Sequence, residues 1–331
     1  MDHKIFDLPG FRTQAGIALD LTLAYKTYGE LTPARDNGIL VLTSYAAQHD
    51  DAEALFASSP ALDLSDYFIV VIDMFSNGLS SSSNTPPPYD GPRFPGITIN
   101  DNVTCQHRLI TEHLGIDRLR LVMGFSMGAL QTFEWGSQFP DMMDSLLPIC
   151  GAARVSPHNH LFLDGAKAAL IADQSFAAGN YTAQPTVGLK AFGRVYAGWM
   201  FSQTFSREAQ YREMGMSSME EVVAFAQEYF MRRDANDLLG MLWTWQHANI
   251  SSNDRFNGSF ADALATVSAR TIIMPGATDL YFTVADSEIE LSHMPNAELR
   301  PIPSTLGHVA GSGMDPGGKA FFEKAIVELI A

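Results

Sequence analysis

The chain has 331 residues, 46% hydrophobic and 18% charged, which is the profile of a folded protein with a large core and not of a disordered chain. A formal net charge of -16 repels nucleic acid and anionic membranes, so neither is expected as a partner. Cys105 and Cys150 are too few for a disulfide framework or a cysteine-rich zinc site, and no run approaches membrane-span length or resembles a signal core, so a cytoplasmic protein is expected.

In chain order, apolar runs at 38–43 and 67–72 read as strands buried on both faces. The stretch 76–95 is rich in Ser, Pro and Gly and follows a core strand, so a structured loop beside the functional site is expected. A helical pattern at 102–114 leads to a third apolar run, 119–123. Directly after it stands Gly124-Phe125-Ser126-Met127-Gly128, followed by the helical 129–135. Strand, G-x-S-x-G and helix form the context of a nucleophile elbow: the glycines permit a sharp turn and close helix approach, and the serine stands at its tip. Another strand-like run lies at 145–150. The segment 152–250 then breaks the rhythm with helical, aromatic and Met-rich patterns at 189–200, 219–231 and 238–247. Strand-like runs return at 271–274 and 299–302, with helices expected at 283–294 and 319–330. The reading is an open, mostly parallel α/β sheet flanked by helices. Residues 1–151 and 251–331 form its core, and 152–250 is a helical lid inserted between strands.

A serine hydroxyl needs a base to take its proton, and the base needs an orienting acid. With an elbow serine the chain order is Ser, acid, His. Asp279 falls on the loop after 271–274, and His308 on the loop after the last strand. Asp315 and Asp286 are the competing acids. His3, His49, His107 and His113 precede the serine; His158, His160 and His247 fall in the lid; His293 lies near a helix end. For the oxyanion hole, one donor is expected to be the backbone N–H of Met127 and the second that of Tyr45 or Ala46, after the first strand. His49-Asp50-Asp51 and His158-Asn159-His160 lack a second ligand cluster, so no metal is expected, and the chemistry calls for no cofactor.

Several stretches together resemble the homoserine O-acetyltransferase family of the α/β-hydrolase superfamily. They are Ala24-Tyr25-Lys26-Thr27-Tyr28-Gly29, the run from Phe94 through Val103, the elbow with Ala129-Leu130-Gln131-Thr132-Phe133-Glu134-Trp135, Asp234-Ala235-Asn236-Asp237-Leu238-Leu239, Gly276 to Asp279, and Gly307-His308. The resemblance spans nearly the whole chain. It implies an α/β-hydrolase fold with Ser126, Asp279 and His308 as triad, and a dimer. The departures concern the substrate. The family's acidic residue after the catalytic His is Val309 here. Its arginine, and the tyrosine seven residues on, correspond with a one-residue shift to Arg194 and Phe201. The Gly-Gly pairs flanking the family serine are Gly-Phe and Gly-Ala here.

The expected function is therefore a carboxylic ester hydrolase for short acyl esters such as acetates, acting on a small-molecule ester through an acyl-serine. The alternative is an acyl-CoA-dependent acyltransferase with an acceptor other than homoserine. Arg194, Phe201, Trp243 and Val309 are the expected substrate contacts. The lid is expected to carry a homodimer contact as well as the acyl pocket, with Met200, Phe201, Met216, Met231, Met241, Trp243 and Trp245 as its apolar material.

Overall fold

The structure is a computed structural model describing residues 3–57 and 59–331. Its elements in order are β1 (Lys4–Arg12), β2 (Ala18–Tyr28), β3 (Gly38–Leu42), α1 (His49–Ala52), β4 (Phe68–Ile72), α2 (Ile99–Arg108), β5 (Leu119–Phe125), α3 (Met127–Gln138) and β6 (Met143–Ile149). Then come α4 (Pro157–Ile171), α5 (Thr186–Met200), α6 (Gln203–Arg207), α7 (Met219–Met231), α8 (Ala235–Gln246) and α9 (Phe260–Ala265). The chain ends with β7 (Arg270–Ile273), α10 (Val284–Leu291), β8 (Ala297–Leu299) and α11 (Pro316–Ile330).

The eight strands among the described residues form one sheet, in the order β1-β2-β4-β3-β5-β6-β7-β8. β1 pairs with β2, and β2 with β4, in antiparallel register; every pairing from β4 through β8 is parallel. Side chains alternate across a strand, so β3 feeds two cores. Leu40 and Leu42 join Val70, Ile72 and Val122 on the face covered by α2, α3 and the helices after β6. Ile39 and Val41 join Ile69, Val71, Leu121 and Met123 on the face covered by Phe322 and Ile326 of α11. Burial on both sides is why these strands read as unbroken apolar runs. β2 alternates instead, with Leu19, Leu21 and Leu23 buried and Asp20 exposed, and neither it nor β1 stood out in the sequence.

Helices α4 to α8 lie between β6 and β7, where the helical segment 152–250 was expected. α4 is an addition to that reading, started by Ser156, whose hydroxyl accepts from Asn159 N. The loop 76–95 is structured as expected, but it packs against β2 and α8: Ser81 accepts from Thr22 N at 2.8 Å, and Asp237 accepts from Ser83 N at 2.9 Å.

Two glycines predict opposite outcomes. A Cβ at Gly128 would lie 2.3 Å from the carbonyl oxygen of Leu42, whereas one at Gly165, exposed in α4, would meet nothing within 4 Å. Gly128→Ala is expected to destabilise by roughly 1–3 kcal/mol through overpacking. Gly165→Ala is expected to stabilise by about 0.5–1 kcal/mol by removing helix-interior flexibility. Urea unfolding midpoints of the two variants check both signs.

Glu290 of α10 is buried, and its carboxylate accepts from Ala153 N at 2.6 Å, where the chain leaves β6. Burial raises its pKa to about 8. Between the ordinary carboxyl value and that value the folded state binds more protons than the unfolded state. This contribution to stability is fully present in acid and is lost as pH rises towards 8. Urea midpoints measured from pH 5 to 8 are expected to fall less steeply for Glu290→Gln than for the parent chain.

Candidate active site

β5 ends at Phe125, α3 begins at Met127, and Ser126 between them has φ 58° and ψ −120°. A non-glycine residue at positive φ is strained and persists only where its surroundings hold it. Here Ser126 N donates to Ile149 O at 2.9 Å, while Ser126 O accepts from Ala129 N at 2.8 Å and Leu130 N at 3.2 Å. The flanking glycines answer to contact. A Cβ on Gly124 would sit 2.4 Å from the carbonyl carbon of Gly128, and one on Gly128 would strike β3.

The serine hydroxyl lies 2.9 Å from His308 Nε2, and His308 Nδ1 lies 2.7 Å from Asp279 Oδ2. All three residues are buried. Asp279 Oδ1 is occupied by Tyr281 N at 2.7 Å and Phe282 N at 3.3 Å, which fixes the carboxylate plane. With Asp279 accepting from Nδ1–H, Nε2 is the free acceptor for the serine proton. The competing acids are engaged elsewhere: Asp315 caps α11 and accepts from Ser304 Oγ, and Asp286 accepts from Thr283 Oγ1 in the first turn of α10. The His308 loop is pinned by Gly307 N donating to Thr278 Oγ1 at 3.1 Å and by Ser202 Oγ donating to Thr305 O. Gly307 has φ 72°, and a Cβ there would lie 2.7 Å from Ser202 N, so the loop presses directly on the start of α6.

Met127 is the first residue of α3, so its N–H has no acceptor within the helix. The loop after β3 is held against that helix. Gln131 Nε2 donates to Thr43 O at 2.9 Å, and Gln131 Oε1 accepts from Gln106, which in turn accepts from Trp135 Nε1. Tyr229 Oη donates to Tyr45 O at 3.3 Å, and Arg233 Nε donates to Ala46 O at 2.6 Å. Tyr45 lines the cavity at Ser126; Ala46 does not. Further along, His49 Nδ1 meets the buried Asp73 at 2.6 Å, and Asn77 bridges Asp73 to Ala47 O. That contact raises the His49 pKa. Asp50 pairs with Lys26 and Asp51 with Arg233, so this acidic stretch braces the loop. In the other His-containing stretch Asn159 donates to Tyr281 O and the His158 ring packs on Trp199.

The cavity at Ser126 holds about 200 Å³. Ser44, Tyr45, Phe125, Tyr196, Met200, Tyr229, Phe230, Trp245, Tyr281 and Val309 are among its walls. Tyr45 and Tyr196 stack with interplanar angle 2°, and Tyr281 meets the His308 ring edge-on at 4.5 Å. A larger hollow, lined by Gln14, Asn100 and the turn after Ser252, contains none of these residues.

Of the expected substrate contacts only Val309 lines this cavity. Arg194 is half exposed and paired with Glu220 at 2.7 Å, on the outer side of α5. Phe201 is buried in a separate small core, stacked on Phe205 at 4.1 Å. Met200, the neighbour of Phe201, does line the cavity. Trp243 stacks on His247 and fills the space over Gly96, in a different hollow. Trp245 is the cavity residue, because two positions along a helix turn the side chain by about 200°. Met200 and Trp245 were among the apolar residues expected of the lid with its acyl pocket, though not singled out as substrate contacts; Tyr196 was missed, and its i, i+4 spacing with Met200 was the available signal.

The described residues contain no helix long and apolar enough to cross a membrane. The chain is 38% identical over 298 residues to the ethyl acetate hydrolase of Pseudomonas veronii, covering 88% of this chain and 85% of that one. It superposes on the acetyl esterase MekB with a TM-score of 0.96 at 34% identity, covering 99% and 96% of the two chains. The homoserine O-acetyltransferase of Nostoc punctiforme is 30% identical over 321 residues, covering 91% and 89%. Residues 39–282 match the family described as alpha/beta hydrolase fold. With its elbow, its sheet order and these relatives, the chain belongs to the α/β-hydrolase family.

Proposed function

We propose that this protein is a serine carboxylic ester hydrolase for short acyl esters, acetates above all. The observation that carries the reading is the unbroken Ser126–His308–Asp279 relay opening into a small aromatic cavity. Ser126 Oγ attacks the ester carbonyl as His308 Nε2 takes its proton. Asp279 holds the ring and stabilises the imidazolium. The backbone N–H groups of Met127 and Tyr45 are the donors assigned to the oxyanion, where electrostatic stabilisation is worth most. The alcohol leaves with the proton from His308. Water, deprotonated by the same nitrogen, then releases the acid from Ser126. The printed names of the ethyl acetate hydrolase and acetyl esterase relatives support this substrate class.

Water as acceptor follows from what the walls lack. Val309 and Met200 present apolar surface, and Arg194 is turned away on Glu220. Asp51, the carboxylate on the wall, is paired with Arg233 at 2.9 Å. A zwitterionic amino acid would leave its charges unpaired there, which is costly.

Ser126→Ala is expected to lower kcat by at least about 10³-fold while leaving the fold intact. Ester turnover near the parent rate in the folded variant would remove Ser126 from its role. Across p-nitrophenyl esters, kcat/KM is expected to fall by at least about tenfold from acetate to octanoate as added methylenes meet the aromatic wall. In millimolar homoserine with an activated acetate, free acetate is expected as the dominant product; a dominance of O-acetylhomoserine would make the protein a transferase.

The homodimer reading rests on other residues than first expected. Phe201, Met241 and Trp245 are buried inside the chain, whereas Leu161 and Ile171 of α4 and Val187 of α5 are exposed, Leu161 by 68% and Val187 by 72%. We assign the dimer contact to these helices, in a cytoplasmic protein. Light scattering is expected to show a dimer at micromolar concentration, and Leu161→Asp is expected to shift it towards monomer.

A further inference from the structure

Among the described residues, eight buried side-chain polar atoms have no hydrogen-bond partner. Three of them belong to side chains that line the cavity at Ser126: Tyr196 Oη, Trp245 Nε1 and Tyr281 Oη. The three rings form one cluster, with Tyr281 6.0 Å from Tyr196 and 5.8 Å from Trp245, both edge-to-face. Each side chain is at least 96% buried, with exposures of 4%, 1% and 2%.

Leaving a buried donor unmade is expensive, and phenylalanine would fill each of these places without that cost. The neighbouring Tyr45 shows the ordinary outcome: its hydroxyl donates to Leu238 O at 2.9 Å. All three orphan groups can donate, and an indole N–H can only donate. Burial also holds both phenols well above their usual pKa, so they stay protonated donors at any working pH. None of the three groups has appreciable accessible surface, so these unused donors sit within the lining itself, and an acceptor brought by a ligand reaches them as the rings shift. Shielded from bulk water, such groups bind that acceptor more strongly than they would at the surface.

We propose that this wall binds a second oxygen atom of the ester, an ether, keto or hydroxyl oxygen in the part that does not react, so that compact oxygenated esters are preferred over plain alkyl esters. The proposal rests on the esterase reading and names its substrate class. Tyr196, Trp245 and Tyr281 are then specificity residues. They act on binding of the substrate and on its positioning before Ser126.

The test compares esters that differ by one methylene replaced with oxygen, using the full-length enzyme. On the alcohol side the pair is n-butyl acetate and 2-methoxyethyl acetate; on the acyl side it is ethyl butyrate and ethyl methoxyacetate. Each kcat/KM ratio is divided by the ratio of the two esters' alkaline hydrolysis rates, which removes intrinsic reactivity. At least one pair is expected to favour the oxygenated ester by about tenfold, the factor an ordinary hydrogen bond supplies, mainly through KM. The pair that responds identifies which side of the ester faces the wall. Tyr281→Phe, Tyr196→Phe and Trp245→Phe, tested separately so that one poorly folding variant does not decide the matter, are each expected to reduce that preference. Corrected ratios near one in both pairs would overturn the proposal, as would a preference unchanged in all three variants. Absence of turnover for all four esters by the parent enzyme would instead overturn the esterase reading, and the proposal with it.

Discussion

The contact on which the site depends is the approach of α3 to the sheet at Gly124 and Gly128. There is no room for a single methyl group at either position. That closeness forces the chain through positive φ at Ser126 and aims the start of α3 at the space above the strand ends. It also brings Gln131 within reach of the carbonyl after β3, so the helix that presents the nucleophile holds the loop carrying Tyr45. Ser126 and the loop carrying Tyr45 are thus two ends of one joint, as the proposed preorganised stabilisation of a developing oxyanion requires.

Around that joint the sheet divides the labour. One face is closed by α11 together with Leu55, Phe56 and Leu62. The other continues through α2 and α3 into the helices after β6, whose aromatic side chains become the cavity walls. Asp279 and His308 come from loops beyond β7 and β8, so the parallel strand order delivers them to the same edge as Ser126. Both buried polar networks near the site, Gln106–Gln131–Trp135 and His49–Asp73–Asn77, act on the β3 loop and leave the relay to its own three members.

The relay was legible in the sequence because each member sits at a place the chain marks: an elbow between glycines, and loops just past apolar runs. The paired strands at the N-terminus were not, since β2 hides one face in alternation and carries Asp20 and Lys26 on the way. Substrate residues were harder for a geometric reason. Trp243 and Trp245 look alike in sequence, and the helix sends them into different hollows. Arg194 and Phe201 were chosen from a resemblance in sequence, whereas the helix turns one to solvent and the chain beyond it sends the other into a satellite core. Tyr281 stands two residues past Asp279, and its place in the cavity wall, edge-on to His308, is displayed only in three dimensions.

The seating of the His308 loop on α6 has a mechanical consequence. Gly307 touches the backbone at Ser202, and Ser202 holds Thr305 by its hydroxyl, so the turn carrying His308 is fastened to the chain just past Met200, one wall of the cavity. A displacement of that wall is carried to the imidazole through the same two contacts. The shape of the cavity and the aim of the imidazole are therefore set by one piece of backbone, and a substitution that reshapes the first also re-aims the second.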